Sequence, residues 1–222
     1  MTQISLKDFE RYSSRKAIQA TLRRVKISEE GSYEEFVEQL YDDIDQLIYR
    51  MQAGPEVRQS DSEDRLSSEV LGGLSIMGYD AVADGKTGGH VDLSVKMGQF
   101  SWVGEAKKDG NFHEGFLQLT TRYVPASGNF SHNQGGLIFY LIETPDARGK
   151  LDTWRDKLVS QGHACVDCTR NRLAFYSDHK YASSGTNFKV RTMGVSLYHK
   201  PQDKSARISA AKKAGKKAAA GG

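Results

Sequence analysis

The chain has 222 residues, 38% of them hydrophobic, with ten Tyr, nine Phe and two Trp. That is enough for a packed core in one full domain with appendages, or in two small domains. A net charge of +3 does not by itself imply nucleic-acid binding, and no apolar run reaches the roughly 18 residues of a membrane-spanning helix.

The N-terminal MTQISLKDFERYSS lacks the apolar core of a secretory signal. With two cysteines only, Cys165 and Cys168, the chain is expected in a reducing cytoplasm. Residues 1–60 read as a helical segment mostly separate from the core. Phe9, Tyr12, Ile18, Leu22 and Val25 recur at helical steps. A second helix is expected from Ser32 to about Met51, with Phe36, Leu40, Ile44, Leu47 and Ile48 on its apolar face. Glu34, Glu35, Glu38, Asp42, Asp43 and Asp45 are expected to make its outer face negative. Three readings are open: a docking or dimerisation element for a second copy or a partner protein, an arm that gates substrate, or a helical pair packed on the core.

A core helix is predicted from Asp61 to Met77, capped by Ser60 or Asp61. At about 100° per residue, Glu63 falls on the stripe of Leu66, Val70, Leu74 and Met77, whereas Glu69 falls off it. An inward glutamate at a helix start is either a carboxylate of a functional site or the second half of a capping box, Ser60-x-x-Glu63. Gly85-Lys86-Thr87 follows a short strand. The first glycine of a P-loop would have to stand at Asp80, and a strand follows, so a P-loop is rejected.

Val91-Asp92-Leu93-Ser94-Val95 alternates as a half-buried strand, and Phe100 to Lys107 reads as its hairpin partner across Met97-Gly98-Gln99. Val103, Glu105 and Lys107 share one face. Two carboxylates, Asp92 and Glu105, and the Lys107 ammonium can therefore meet at the end of one hairpin. Such carboxylates bind a hard divalent cation through oxygen, and a nearby ammonium can orient water or stabilise a phosphate, as metal-assisted phosphodiester cleavage needs.

At these residues the chain resembles the PD-(D/E)xK nucleases, the restriction-endonuclease-like superfamily. Asp92 matches the motif aspartate and Glu105-Ala106-Lys107 the (D/E)xK element; His90-Val91 stand where the pattern has its proline. The resemblance spans about residues 60 to 170. It implies an α/β fold, with a central mixed sheet flanked by helices. It implies Mg²⁺ or Mn²⁺ as cofactor, held by Asp92, Glu105 and Glu63, with Lys107 positioning or activating the water. It also implies a Gln on the helix after the Lys strand, followed by a Tyr. Gln118-Leu119-Thr120-Thr121-Arg122-Tyr123 is similar to that element, with the Tyr one position late. Gln118 is then an assisting catalytic residue and Arg122 a phosphate contact; a solvated helix face is the other reading of both.

That helix is expected from His113 to Val124, stopped by Pro125. Gly135 to Glu143 is a near-continuous apolar run, as in a strand buried on both faces. Asp152 to Gln161 reads as a crossover helix with Trp154, Leu158 and Leu151 inward. Strands follow at about 163–166, 173–176 and 188–198. Cys165-x-x-Cys168 has no second ligand pair and is not read as a zinc site. His179, Lys180, Lys189 and Arg191 read as a basic area able to meet a nucleic-acid backbone. From about residue 201 the chain becomes Ala-, Gly- and Lys-rich and is expected to be a disordered basic tail.

The organisation so read is a helical segment over 1–60, a nuclease domain over 61–200 and a tail over 201–222. The expected function is a Mg²⁺-dependent deoxyribonuclease, an endonuclease of restriction or antiviral defence. Lys86, Lys108, Arg122, Lys212, Lys213, Lys216 and Lys217 are the cations assigned to DNA, with no membrane partner. The alternatives are a non-catalytic nucleic-acid-binding or assembly module of the same fold, and a ribonuclease.

Overall fold

A computed structural model describes residues 15–84, 91–110, 112–123, 132–181 and 184–203. Lys86, the four tail lysines and the expected helix contacts of Phe9 and Tyr12 lie outside these residues. Two helices lead: α1 (Lys16–Glu30) and α2 (Tyr33–Gln52). After a 3-10 turn at Pro55–Arg58 come α3 (Glu63–Ile76), β1 (Asp80–Asp84), β2 (Val91–Met97) and β3 (Phe100–Lys108). The chain continues through α4 (Phe112–Gln118), a π-helical turn (Leu119–Tyr123), β4 (Gln134–Leu141) and α5 (Ala147–Ser160). It closes with β5 (Ala164–Asp167), β6 (Ala174–Lys180) and β7 (Asn187–Ser196).

The seven strands form one mixed sheet in the order β1-β2-β3-β4-β7-β6-β5. β1 to β3 are antiparallel, β4 lies parallel to both β3 and β7, and β6 is antiparallel to β7 and β5. The apolar run expected to be central is the fourth strand of seven. Its side chains alternate between two cores. Ile138 and Tyr140 join one hydrophobic cluster with α2 and α3; Leu137, Phe139 and Leu141 join another with α4 and α5. Helices therefore flank both faces of the sheet, which is the expected α/β class. A strand buried on both faces has no polar alternation to show, which is why this one reads as a continuous apolar run.

Residues 33–52 are not a separate segment. Phe36, Leu40 and Ile44 are fully buried in the cluster that holds Leu93, Val95 and Trp102 of the sheet. Ser32 and Glu35 form a reciprocal capping box that starts α2. The Tyr41 hydroxyl accepts from Trp102 Nε1 at 3.1 Å and donates to the Gly135 carbonyl at 3.0 Å. The Trp102 ring lies across the backbones of Gly104 and Gly136, where any Cβ would overlap it.

The expected negative outer face of α2 is corrected at three positions. Asp43 is buried; it accepts two bonds from Arg24, each 3.0 Å, and one from the Tyr79 hydroxyl at 2.7 Å. Asp45 accepts from Arg191 at 2.7 Å and from Asn171 at 2.9 Å, and Asp42 pairs with Arg170 at 2.6 Å. Unpaired charge at such places would be costly, so each inward acid is met by a cation or a donor. The expected basic area loses two members for the same reason. Arg191 is fully buried, with its guanidinium 4.8 Å from the Tyr41 ring centroid, and His179 is buried beside His163. Lys180 and Lys189 remain exposed.

Breaking the Arg191 pair from the acid side leaves a buried guanidinium short of its partner. Asp45→Ala is expected to cost about 3 kcal/mol in urea unfolding. Glu38→Gln, whose bridge to Arg23 is largely exposed, is expected to change stability by less than about 0.5 kcal/mol. Equal losses in the two variants would show that the buried pair does not anchor α2.

Candidate active site

The site lies where β2 parts from β3. The β2–β3 register runs from Met97↔Phe100 to Leu93↔Gly104 and stops there. On its other side β3 stays paired with β4 as far as Lys108↔Tyr140. The end of β3 thus carries backbone N–H groups with no β2 partner. Two carboxylates take the place of the missing strand. Asp92 Oδ2 accepts from Ala106 N at 2.9 Å, and Glu63 Oε2 accepts from Lys108 N at 2.6 Å. Unmet backbone donors at a half-buried position are costly, and this satisfies them.

Strand alternation does the rest. Leu93 and Val95 belong to the α2/α3 cluster, so Asp92 points to the opposite face. Trp102 and Ala106 belong to the same cluster, which turns Glu105 and Lys107 towards α4. Glu63 arrives from the other layer, around the end of the sheet, as the first residue of α3. The Lys107 ammonium stands among all three acids. It is 2.5 Å from Glu105 Oε1, 3.6 Å from Glu63 Oε1 and 3.7 Å from Asp92 Oδ2.

The start of α3 is fixed by Ser62, not by Ser60 or Asp61: the Ser62 hydroxyl accepts from Arg65 N at 3.1 Å. The capping-box reading of Glu63 is thereby removed, because a box closed by Ser62 would need its glutamate at position 65. Leu66, Val70 and Leu74 are fully buried, as the helical phase requires. Glu69 is turned away from the site, where both its oxygens are held by Arg58. Arg58 also bonds Asp61, tying down the turn that delivers Glu63.

Helix α4 packs directly on the cluster. A Cβ at Gly115 would sit 3.0 Å from Lys107 Cγ and 3.7 Å from Glu105 Cγ, so the absence of a side chain allows this approach. Gln118, one turn later, carries a buried Oε1 that has no hydrogen-bond partner among the described residues. The expected helix is α-helical from Phe112 to Gln118 and continues as a π-helical turn to Tyr123; Val124 lies outside the described residues. Arg122 is exposed, and Lys108 Nζ donates to the Asp61 carbonyl at 2.8 Å rather than standing free.

Two neighbours carried no sequence signal. Tyr140, within the apolar β4 run, lies opposite Lys108 in the sheet and belongs to the α2/α3 cluster. Its phenol is held protonated chiefly by burial, with Asp92 and Glu63 adding to the effect, and it meets the Ser67 hydroxyl at 3.4 Å. Asp109, at a positive φ of 45°, accepts from Ile142 N and Glu143 N and anchors the end of β3 to β4.

Charge is strongly coupled here. Burial pushes the Glu105 carboxyl up to about 7; Lys107 opposes that shift and Asp92 adds to it. Burial works against the Lys107 ammonium, but Glu105, Asp92 and Glu63 outweigh it and hold its pKa above the ordinary lysine value. Glu105 Oε2 is buried without a hydrogen bond among the described residues. The donor set is all carboxylate oxygen, which fits a hard cation such as Mg²⁺ or Mn²⁺ rather than zinc or copper. Among the described residues no three acid, His or Cys groups close on one point at metal distance, since the Lys107 ammonium lies between them.

No protein-family model, no curated protein and no solved structure matches this chain. Among the described residues no helix is long and apolar enough to cross a membrane.

The Glu105 shift has a sign that can be measured. A carboxyl whose pKa is raised on folding binds its proton more tightly in the native state. Its presence therefore favours the fold at low pH and disfavours it increasingly as pH rises from about 4.5 to about 7. In the absence of divalent cations, Glu105→Gln is expected to be more stable than the parent at pH 8, by about 1–3 kcal/mol, with the gap closing below about pH 5. Thermal melts of both proteins across that range check it. A gap independent of pH would mean that the carboxyl is not raised.

Proposed function

We propose that this protein is a divalent-cation-dependent nuclease that hydrolyses phosphodiester bonds of DNA, as an endonuclease. The observation that supports this reading most is the gathering of Glu63, Asp92 and Glu105 around the Lys107 ammonium. They come from a helix start, a strand start and a strand end, and three of them are acids. A mixed sheet flanked by helices is also the α/β class that the resemblance to PD-(D/E)xK nucleases implies. Asp92, Glu105 and Glu63 would hold Mg²⁺ or Mn²⁺. When bound, the cation would supply Lewis-acid stabilisation of charge on the phosphate.

The chain's own groups have separate tasks. Lys107 positions the attacking water and offsets charge on the phosphate. With a cation bound, Glu105 would be one of its ligands and stay ionised, and the proton that this water loses passes to solvent. Gln118 Oε1, buried and unpaired, can accept a hydrogen bond from that water. Water oxygen bonds to phosphorus, one P–O bond to a sugar breaks, and the departing oxygen takes up a proton. A cytoplasmic setting in restriction or antiviral defence belongs to the same proposal. A second reading, a nucleic-acid-binding module without catalysis, draws on the Lys107 ammonium standing at the centre of the acids.

Plasmid DNA and RNA incubated with Mg²⁺ or with EDTA separate these readings. Asp92→Asn, Glu105→Gln and Lys107→Met are each expected to lower cleavage by at least about 100-fold, the loss of one or more essential groups of a hydrolytic site. Glu63→Gln is expected to be weaker in Mg²⁺ affinity and partly restored by raised Mg²⁺. Glu69→Gln, whose partner is Arg58, is expected to keep its cleavage rate. Full activity in a folded Asp92 or Glu105 variant, or no cleavage by the parent with any divalent cation, would reject the catalytic assignment.

A further inference from the structure

A second feature lies on the other side of α4. Helices α4 and α5 enclose an open cavity of about 250 Å³, lined by Gly110, Phe112, His113, Lys150, Trp154 and Lys157, with Thr153 at its rim. Its floor is aromatic: Phe112 and Trp154 meet edge to face, with ring centroids 6.2 Å apart. Two lysines stand at its edges. Lys150 Nζ is 5.9 Å from the Phe112 centroid and Lys157 Nζ is 5.8 Å from that of Trp154.

The cations of α5 fall into two groups. Arg148 and Arg155 are bound to carboxylates: Arg148 to Asp152 at 2.9 Å, and Arg155 to Asp167 at 2.9 Å. Lys150 and Lys157 are seven residues apart, which places them on one helix face. Neither meets a carboxylate among the described residues. Between them, Trp154 is 4% exposed, and its Nε1 has no hydrogen-bond partner among the described residues. A buried N–H without an acceptor is costly. Here it belongs to a ring that lines a cavity rimmed by two uncompensated positive charges. The Nε1 atom itself is shielded from solvent, so it is the face of the ring, with the two ammonium groups, that the cavity presents.

The cavity is also close to the acid cluster. Gly110 is three residues from Lys107, so their Cα atoms are at most about 11 Å apart. One strand of DNA carries a phosphate about every 3.4 Å of helix axis, so a strand bound at Lys107 has another phosphate within that reach.

We infer that the α4–α5 cavity is a binding subsite for a backbone phosphate of the nucleic acid flanking the bond that is cut, with Lys150 and Lys157 offsetting its charge beside the Phe112 and Trp154 rings. The aromatic floor suits the sugar or base edge attached to that phosphate. This assignment rests on the nuclease reading for its substrate, but its test does not need cleavage.

The full chain is titrated in EDTA with a fluorescein-labelled DNA duplex at several salt concentrations, as the parent and as Lys150→Gln/Lys157→Gln. A control, Lys26→Gln/Lys96→Gln, removes the same charge at the opposite end of the sheet. Two lost phosphate contacts should lower the slope of log K against log salt by about 1.8, and weaken binding by about ten-fold or more, relative to parent and control. In a ¹⁵N-labelled parent, a short oligothymidine should move the indole N–H signal of Trp154 and leave that of the buried Trp102 in place. A slope equal to the control's, or an unmoved Trp154 signal, overturns the subsite. A protein that shows both effects yet cleaves nothing with any divalent cation loses the nuclease reading and keeps the subsite. A protein that cleaves DNA while both effects are absent does the reverse.

Discussion

The Lys107 ammonium among Glu63, Asp92 and Glu105 is the interaction on which this structure turns. Three carboxylates around it repel one another, Glu105 is nearly fully buried, and the ammonium between them offsets part of that repulsion. The lysine does not remove the conflict. Glu105 is still pushed towards neutral pH by its burial and by Asp92. The fold thus carries a site that works against its own stability, as expected where charge is gathered for chemistry rather than for cohesion.

What tolerates that conflict is the rigidity of the layers around it. On one side, α2 is fastened to the sheet by Arg191–Asp45, by Arg24–Asp43–Tyr79 and by the Trp102–Tyr41–Gly135 hydrogen-bond chain. On the other, Phe112 stacks on Phe139 with ring centroids 3.6 Å apart and holds the beginning of α4 against β4. Between the two, Gly115 brings α4 within contact of Lys107. A side chain there would push on the lysine stem, and the ammonium would shift relative to three partners at once.

The sequence displayed the alternating strands, and with them the shared face of Glu105 and Lys107 and the approach of Asp92. It displayed the phase of α3, and so the difference between Glu63 and Glu69. It concealed the acids of α2. A run of Asp and Glu on an amphipathic helix reads as a solvated face, yet Asp45 is partnered by Arg191, 146 residues later, and no local pattern contains that pairing. Arg191 was hidden for the complementary reason. It stands in β7 between the buried Val190 and Thr192, a strand covered on both faces, where a charged residue cannot be assigned to solvent by alternation. The cap of α3 was misplaced by one or two residues because Ser60, Asp61 and Ser62 are all competent caps, and only the tertiary position of Glu63 selects among them.

The geometry also explains why a motif of side chains is an incomplete description of this site. In Glu105-Ala106-Lys107-Lys108 the side chains of 105 and 107 share one face. The backbone N–H groups of 106 and 108 share one edge of the same strand, the edge that β2 has left. Asp92 and Glu63 are oriented by those two N–H groups before any ligand is considered. Residue 106 therefore matters through its backbone and through its burial under α2 and α3, which favours a small apolar side chain and leaves its chemistry otherwise unconstrained. The spacing of the motif follows from the pleat. One period of two places a carboxylate and an ammonium on the face, and the same period places two donors on the edge, which gather the other two acids around them. Were β2 to stay paired with β3 as far as Val91 opposite Ala106, the Ala106 N–H would be taken up by strand, and Asp92 would lose the bond that aims it at Lys107.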